Sequence, residues 1–314
     1  MEKLKDLKVV FMGTPEFSVP ILEMLIENTN VIGVVSREDA EVGRKRILTP
    51  SPVKACALKH GIKVFTPHRL KNEYEDILNL SPDIIITCAY GQIVPKIVLD
   101  YPLYGCINVH GSVLPKYRGA SPIQTAIMNG EEQTGITIMY MDESLDTGNI
   151  INYDFMPIED TDTYGTLSNK LSILGRDLLL KTLPKIIEDD NFNIKQDDYE
   201  ATFTKLIKRE DERLNFNKTT EEVYNYIRAL NPNPLANTLV NGEEWKIIES
   251  KIGNKGNYPI GIISHVYPDS FAIGCLDGEL LVTKIKPAGK KEMLVKDFFN
   301  GFDSKKLLGI EVGK

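Results

Sequence analysis

Two polar side chains that could take part in catalysis lie in the segment 105–119, whose sequence is GCINVHGSVLPKYRG. The segment begins with apolar residues, as a buried strand does, but Asn108 and His110 interrupt them with groups that a central strand normally avoids. Residues two apart on a strand point to the same face, so these two side chains are neighbours. An amide beside an imidazole in such a place is a candidate active site.

The position of His110 within its segment supports that interpretation. Ligands of open parallel sheets bind beyond the carboxyl ends of the strands, and His110 comes directly before a Gly-Ser-x-x-Pro loop. The alternative is an ordinary histidine packed beneath a loop. The triplet Asp146-Thr147-Gly148 resembles that of aspartic proteases, but their chemistry needs two such carboxylates and the sequence contains one such triplet. A protease is therefore not expected.

The candidate site follows a regular alternation of strands and helices. Strand-like segments separated by helical patterns predict a doubly wound, Rossmann-like parallel sheet of the α/β class. These segments are 8–12, 31–36, 62–65, 83–89 and 106–110. Further strands are expected at 134–141 and 150–156, with an amphipathic helix after them. No Gly-x-Gly-x-x-Gly motif follows the first strand, so no nicotinamide cofactor is expected.

The C-terminal third of the chain has a different pattern. Residues 190–208 are polar, which predicts a linker between a catalytic domain at 1–189 and a second domain at 209–314. In the second domain Thr219 and Glu222 form a capping box before a short helix, and the dipeptides Asn-Gly at 241–242 and Asp-Gly at 277–278 are strong hairpin turns. This part is predicted to be a small, OB-like β-barrel with one helix.

The composition restricts the class of protein. The chain has 314 residues, of which 42% are hydrophobic and 26% charged, as in ordinary globular proteins. No apolar run approaches the roughly 20 residues of a membrane span, and the first residues do not read as a signal peptide, so we expect a cytoplasmic protein without a membrane partner. The net charge of -7 argues against a protein that coats nucleic acid.

The cysteines and histidines give no sign of a metal centre. The four cysteines, Cys56, Cys88, Cys106 and Cys275, are far apart and mostly lie in apolar runs, which predicts buried free thiols. The four histidines are equally scattered. No structural metal is therefore expected.

Two basic segments could contact phosphates. Residues 37–46 are highly charged without apolar periodicity, which predicts an exposed, mobile loop; its Arg44, Lys45 and Arg46 either bind phosphates or are simply solvated. A second basic segment contains Lys284, Lys286, Lys290 and Lys291 without an acidic residue among them. It is either a phosphate-binding edge or a solubilising one.

Six motifs along the chain point to one family. They are FMGTPEF at 11–17, AYG at 89–91, NVHGSVLPKYRG at 108–119, LDTG at 145–148, RALNP at 228–232 and PAGKK at 287–291. Together they resemble the methionyl-tRNA formyltransferase family over nearly the whole chain, and hence the formyltransferase fold. The stretch at 108–119 is shared with other enzymes that use 10-formyltetrahydrofolate, whereas the C-terminal motifs select the tRNA-specific member.

The resemblance implies transfer of a formyl group from 10-formyltetrahydrofolate, as donor co-substrate and without a metal, to the α-amino group of methionine on initiator methionyl-tRNA. Attack by the amine places negative charge on the formyl oxygen, which the Asn108 amide and a protonated His110 can stabilise. Asp146 then orients His110, keeps it charged and assists proton transfer.

The resemblance also implies the two binding regions and a monomer. The expected folate contacts are Tyr90, Gly91, Ser112, Val113, Leu114, Pro115 and Asp142, because 112–115 resembles the folate-binding Ser-Leu-Leu-Pro signature of the family. The expected tRNA contacts are Arg44, Lys45, Arg46, Lys286, Lys290 and Lys291.

The sequence departs from the family pattern in the segment expected to bind the tRNA acceptor. Where the family has Gln-Pro-Asp-Lys-Pro-x-Gly-Arg, this chain has glutamates at 38 and 41 in place of the prolines and Ala40 in place of the lysine. Asn233 replaces the tryptophan of the Asn-Pro-Trp-Pro turn. Two alternatives remain: a formyltransferase that acts on an amino-sugar nucleotide and would not need the basic segment at 284–291, and a folate- or nucleotide-binding regulatory module without turnover.

Overall fold

The computed structural model describes residues 2–43, 45–188 and 193–313. The chain divides into two compact units. Unit 1 comprises Met1–Gly119, Thr134–Met156 and Ser168–Thr204, and unit 2 comprises Ala120–Gln133, Pro157–Leu167 and Lys205–Lys314. No helix within the described residues is both long and apolar enough to cross a membrane.

The strands and helices of the first two thirds of the chain alternate as the pattern predicts. The strands are β1 Lys8–Gly13, β2 Asn30–Val35, β3 Ala40–Val42, β4 Ile47–Thr49, β5 Val64–Phe65, β6 Ile84–Cys88, β7 Cys106–His110, β8 Arg118–Gly119, β9 Gln133–Tyr140, β10 Ile150–Pro157 and β11 Phe203–Thr204. The helices are α1 Glu2–Lys5, α2 Val19–Asn28, α3 Pro52–Lys59, α4 Glu75–Leu78, α5 Lys96–Leu99, α6 Pro122–Met128 and α7 Tyr164–Ile187.

Unit 1 is built on a seven-stranded sheet of order β10-β9-β7-β6-β1-β2-β5. The five strands predicted to form a parallel sheet do so: β5, β2, β1, β6 and β7 pair in parallel, which confirms the predicted fold class. The next strand, β9, runs antiparallel to β7, with Thr137 opposite His110. The chain that leaves β7 therefore re-enters the sheet at the end of β7 where the candidate site lies.

The centre of the sheet is buried, and α7 packs closely on β7. Every residue of β6 is buried, as expected for a strand covered on both faces. A Cβ added at Gly175 of α7 would lie 3.0 Å from Cγ1 of Val109, which is tighter than most side-chain contacts. The missing side chain lets the helix approach the strand that carries Asn108 and His110.

Residues 193–204, in the second part of the predicted linker, group with unit 1. The segment pairs in parallel with the end of the catalytic motif, Phe203 with Arg118 and Thr204 with Gly119. Ile194 forms an antiparallel bridge with Ile150 at the start of β10. Residues 193–204 are therefore held by backbone pairing on both sides of the candidate site. Residues 189–192 lie outside the described residues.

Unit 2 contains the predicted barrel. Its elements are α8 Thr220–Ala229, β12 Ala236–Val240, β13 Glu243–Lys255, β14 Ile263–Val266, β15 Phe271–Gly274, β16 Gly278–Lys286, β17 Met293–Leu294 and α9 Val295–Phe299. The strands pair antiparallel in the order β12-β13-β16-β15-β14, with β17 beside β16. The terminal residues close the gap between β12 and β14, because Gly313 donates to the carbonyl of Leu239 and Gly309 to that of Ile263, both at 2.9 Å.

Local signals in unit 2 act as the sequence predicts. The Thr219 hydroxyl accepts a hydrogen bond from the amide of Glu222, and the Glu222 carboxylate accepts one from the amide of Thr219, which is the capping box of α8. Asn241 and Gly242 both have positive φ, 50° and 77°, and turn the chain from β12 into β13.

Candidate active site

Asn108 is half-buried on β7, between β6 on one side and β9 on the other. The hydroxyl of Thr87, opposite it on β6, donates a hydrogen bond of 2.9 Å to Oδ1 of Asn108. Among the described residues, none accepts from the amide nitrogen of Asn108. In this orientation the two N–H donors of the Asn108 amide are available to a ligand.

His110 is 6% exposed and is held through one ring nitrogen. Its Nε2 lies 3.0 Å from the carbonyl oxygen of Tyr117. Because a carbonyl can only accept, Nε2 carries the proton in this contact. The other nitrogen, Nδ1, lies 3.7 Å from Oδ2 of Asp146. Nε2 of His110 thus anchors the ring, and Nδ1 is the nitrogen that can take part in catalysis.

Asp146 stands in the loop after β9 with a left-handed backbone conformation, φ 54°. The register places Tyr140, the last residue of β9, opposite Ile107, so the loop must fold back along β7 to bring Asp146 to His110. Its Oδ2 accepts a hydrogen bond of 2.7 Å from the amide of Gly119. The structure thereby brings together the three predicted catalytic side chains from two separate segments, β7 and the loop after β9.

The loop after His110 is held by its own polar groups. The Ser112 hydroxyl donates to the carbonyl of Lys116 at 2.7 Å, and the Thr137 hydroxyl donates to the carbonyl of Ser112 at 2.7 Å. Leu114 is buried in a cluster with Met139 and Ile150. Of the four predicted folate residues here, Ser112 and Leu114 shape the loop, and the half-buried Val113 and Pro115 are the ones that a ligand can reach.

Tyr90 and Gly91 follow β6, at the edge of the sheet where β7 also ends. Tyr90 is buried, and its hydroxyl has no hydrogen-bond partner among the described residues. Burial raises the pKa of Tyr90 to about 12, so the phenol remains a donor. Gly91 has φ 83°, and a Cβ there would lie 2.4 Å from Nη2 of Arg37, which donates to the Gly91 carbonyl. The positive φ of Gly91 favours glycine, whereas the exposed Arg37 side chain could move away from a Cβ.

Asp142, the remaining predicted folate residue, is exposed and organises the loop that leads to Asp146. Its carboxylate accepts from the amide of Ser144 at 3.0 Å and from the hydroxyl of Thr147 at 2.7 Å. The Asp142 carboxylate thus stabilises its own loop through local hydrogen bonds, as aspartates commonly do in turns.

Sequence reasoning missed four residues that hold the catalytic groups: Thr87, Tyr117, Gly119 and Gln196. Thr87 had a visible signal, since it is a polar residue within an otherwise apolar strand. Tyr117 and Gly119 act through backbone atoms, which a sequence does not reveal. Gln196 lies in a polar segment without any pattern.

The predicted loop at 37–46 contains one strand of a two-stranded antiparallel hairpin, in which Val42 pairs with Ile47 and Ala40 with Thr49. The expectation of a loop without strand structure was wrong, because backbone pairing and the positive φ of Gly43 and Arg46 form a hairpin despite the charged sequence, whereas the expected mobility stays a prediction. Lys45 and Arg46 are exposed, as are the apolar side chains of Val42, Ile47 and Leu48, whereas Arg44 lies outside the described residues.

Only some of the lysines in the basic segment 284–291 lack an ion pair or a ring contact with another described side chain. Lys284 lies 3.6 Å from Glu249 and 3.5 Å from Glu292, so acids from outside the segment neutralise it. Lys290 lies over the ring of Phe298, with 5.1 Å from Nζ to the centroid. Lys286 and Lys291 are exposed and form no ion pair with any described residue. A ligand phosphate would therefore meet the last three lysines first.

All four cysteines are free and buried, as predicted. Burial raises the pKa of Cys88, Cys106 and Cys275 to about 12. Cys56 of α3 and His60, directly after that helix, come together with Glu23 of α2 as possible metal ligands, with their ligand atoms within 4.8 Å of one another. The sequence did not reveal this grouping, and the absence of a structural metal stays a prediction.

Comparison with known proteins gives a consistent result over both units. The formyl transferase family matches residues 7–183, and the formyl transferase C-terminal domain matches residues 206–303. A methionyl-tRNA formyltransferase of Staphylococcus epidermidis is 49% identical over 298 residues, covering 94% of this chain and 96% of the relative. One of Bacillus cytotoxicus is 47% identical over 314 residues, covering 98% and 99%.

A solved structure with a similar fold is the N-formyltransferase of Helicobacter canadensis, in complex with folinic acid and dTDP-3-aminofucose. It is 26% identical, with a TM-score of 0.66, and the match covers 88% of this chain and 98% of that one.

Proposed function

The chain belongs to the methionyl-tRNA formyltransferase family, and we propose that it transfers the formyl group of 10-formyltetrahydrofolate to the α-amino group of methionine on initiator methionyl-tRNA. The observation that carries this proposal is the grouping of Asn108, His110 and Asp146 at the end of β7, where the amide nitrogen of Asn108 and Oδ1 of Asp146 have no hydrogen-bond partner among the described residues. The reaction supports the initiation of translation.

We assign the catalytic roles as follows. The neutral amine attacks the formyl carbon, and the negative charge that develops on the formyl oxygen is stabilised by the Asn108 amide and by His110 in its charged form, which carries a proton on Nδ1 in addition to the one on Nε2. As the new C–N bond forms and the bond to N10 of the folate breaks, one proton leaves the amine and N10 gains one. Asp146, whose Oδ1 has no partner among the described residues, carries that proton and orients His110.

The folate is proposed to bind along the edge formed by Tyr90, Gly91 and the loop 112–115, opposite the loop that begins at Asp142. Two observations support this position. The buried Tyr90 hydroxyl lacks a partner among the described residues, and such a group costs free energy unless a ligand or water satisfies it. The half-buried Val113 and Pro115 provide apolar surface for a flat ring system.

The tRNA is proposed to contact the β3–β4 hairpin and the basic edge of the barrel. Arg44, Lys45 and Arg46 would neutralise phosphates at the hairpin, and Lys286, Lys290 and Lys291 at the barrel. Exposed apolar residues beside the hairpin cations favour contact with bases as well. The proposal includes a monomer that acts in the cytoplasm, with the predicted domains at 1–189 and 209–314 joined by the linker at 190–208.

The alternative within the same chemistry is an enzyme that formylates an amino-sugar nucleotide. The relative from Helicobacter canadensis, solved with such a ligand, shares the fold at 26% identity. The methionyl-tRNA formyltransferases share 47% and 49% over nearly the full length, which favours a tRNA acceptor. A regulatory module without turnover would not need a catalytic amide, imidazole and carboxylate in contact range.

The test is the release of tetrahydrofolate from 10-formyltetrahydrofolate with three acceptors in parallel: methionyl initiator tRNA, an amino-sugar nucleotide, and neither. We expect release only with the tRNA, in a 1:1 ratio to formylmethionine. Release of tetrahydrofolate with the amino-sugar nucleotide but not with the tRNA would contradict the proposal and support the amino-sugar enzyme. Binding of folate without release in any mixture would indicate a regulatory module.

A further inference from the structure

The side chain of Gln196 bridges two carbonyls of the loop that carries Asp146. Its Nε2 donates to the carbonyl of Asp146 at 2.8 Å and to that of Gly148 at 2.7 Å. Gln196 is 5% exposed, so both bonds are shielded from water. The two N–H groups of one amide are thus used on the two residues that flank Thr147.

Arg118 determines which way this amide faces. Its Nε and Nη2 both donate to Oε1 of Gln196, at 3.0 and 2.8 Å, and its side chain is 2% exposed. A guanidinium has only donors, so the atom that it contacts must be the amide oxygen, and the amide nitrogen must face the loop. Nη2 of Arg118 also donates to Asp198 at 2.8 Å, which fixes the guanidinium from the other side.

The loop needs such support because Asp146 has a conformation that side chains rarely adopt. Its φ of 54° lies in the left-handed region, which a residue with a Cβ occupies only when its surroundings hold it there. Gln196 holds the backbone carbonyl on one side of Asp146, while the Gly119 amide holds the carboxylate on the other. These two contacts together determine the position of Oδ2 relative to Nδ1 of His110.

We propose that Gln196 and Arg118 are positioning residues, which hold Asp146 in its catalytic conformation through the carbonyls of Asp146 and Gly148. This inference rests on the proposed function. Gln196 contributes no atom to the reaction and acts only through Asp146. Segment 193–204 thereby serves the active site as a clamp, since its other contacts, to Ile150 and to Arg118 and Gly119, tie it to both flanks of that site.

The test uses the full-length protein with Gln196→Glu. The substitution keeps the oxygen that Arg118 contacts but removes both N–H donors, so the carbonyls of Asp146 and Gly148 face a carboxylate. We expect kcat to fall about 10- to 100-fold, the cost of a small displacement of a catalytic group, while KM for both substrates changes less than about twofold. Gln196→Asn, which is one methylene shorter, is the second variant and is expected to lose kcat in the same way.

Asn193→Ala is the matched control, because the Asn149 amide donates to Oδ1 of Asn193 at 2.9 Å and so joins the same two segments without touching Asp146. Its kcat is expected to equal that of the wild type. Equal loss in Asn193→Ala and Gln196→Glu, or a loss of folate affinity and thermal stability that parallels the loss of kcat, would overturn the positioning role. So would wild-type kcat in Gln196→Glu. Failure of the wild-type enzyme to transfer formyl would contradict the proposed function instead.

Discussion

At the scale of single residues, the two ring nitrogens of His110 have different roles in the proposed mechanism. Tyr117 occupies Nε2, and Nδ1 faces Asp146. A histidine held in this way keeps its Nε2 proton on the carbonyl and presents Nδ1 to the reacting atoms. The backbone carbonyl at 117 is therefore as much a part of the site as the carboxylate at 146.

His110→Ala is predicted to lower kcat by about 1,000-fold or more, because it removes both a donor to the formyl oxygen and the partner of Asp146. The dissociation constant for folate should stay within about twofold, since the predicted folate contacts lie on other residues. Single-turnover kinetics and a folate titration measure the two quantities. His60→Ala, which changes an exposed histidine directly after α3, is the control. Near-normal turnover in His110→Ala would exclude the assigned role.

Several site residues could be predicted from the sequence and others could not, for physical reasons. Asn108 and His110 were visible as polar residues in an apolar strand, and Asp146 through its motif. The atoms that hold them were hidden, because Tyr117 and Gly119 act through the backbone. Gln196 is 50 residues from Asp146, in a segment with no periodicity that could place it in space.

At the scale of elements, the buried strands of unit 1 followed from apolar runs, whereas the exposed β3–β4 hairpin did not. Nearly continuous apolar segments such as 83–89 are typical of strands that are buried on both faces. The hairpin carries charged residues that resemble a loop, and only backbone pairing identifies its strands. Its exposure nevertheless agrees with the prediction, and exposure is what a phosphate contact requires.

Lys45→Ala, at the tip of this hairpin, is predicted to raise KM for tRNA several-fold and to leave kcat unchanged, because one phosphate contact is lost outside the reacting centre. The slope of log KM against log salt concentration should fall by about one. Lys181→Ala, an exposed lysine on α7, removes the same charge elsewhere and should change neither value. An identical salt slope in Lys45→Ala and the wild type would show that the hairpin does not bind phosphate.

The thiols on the central strands predict a pH dependence of stability. Burial raises the pKa of Cys88 on β6 and Cys106 on β7 from 9.0 to about 12. Above pH 9 the unfolded chain loses these protons and the folded chain keeps them, so the free energy of unfolding falls as the pH rises from about 9 to about 12. Over this range, each thiol lowers the free energy of unfolding by about 1.4 kcal/mol per pH unit.

Urea unfolding monitored between pH 8 and pH 11 tests this expectation. In Cys106→Ala, the free energy of unfolding should fall less steeply with rising pH, by the contribution of one thiol. This holds even if the variant is less stable than the wild type at pH 8. A dependence as steep in Cys106→Ala as in the wild type would mean that other groups cause the decline.

At the scale of the whole molecule, one unit carries the catalytic groups and the other carries a barrel with a basic edge. The net charge of -7 argues against RNA binding by the surface as a whole. The proposed tRNA contacts are therefore local: the exposed Lys45 of the hairpin, where Arg46 already pairs with Glu41, and the lysines of the barrel edge. Both units match the family, and the acceptor is therefore expected to require both.

The measurement that tests the central claim most directly compares formyl transfer from 10-formyltetrahydrofolate to methionyl initiator tRNA and to methionyl elongator tRNA. Both acceptors carry the same amino acid, so the comparison isolates recognition of the RNA. We predict a kcat/KM for the initiator at least about 100-fold higher, equivalent to roughly 2.7 kcal/mol of discrimination. Equal transfer to both tRNAs, or none to either while folate binds, would contradict the account.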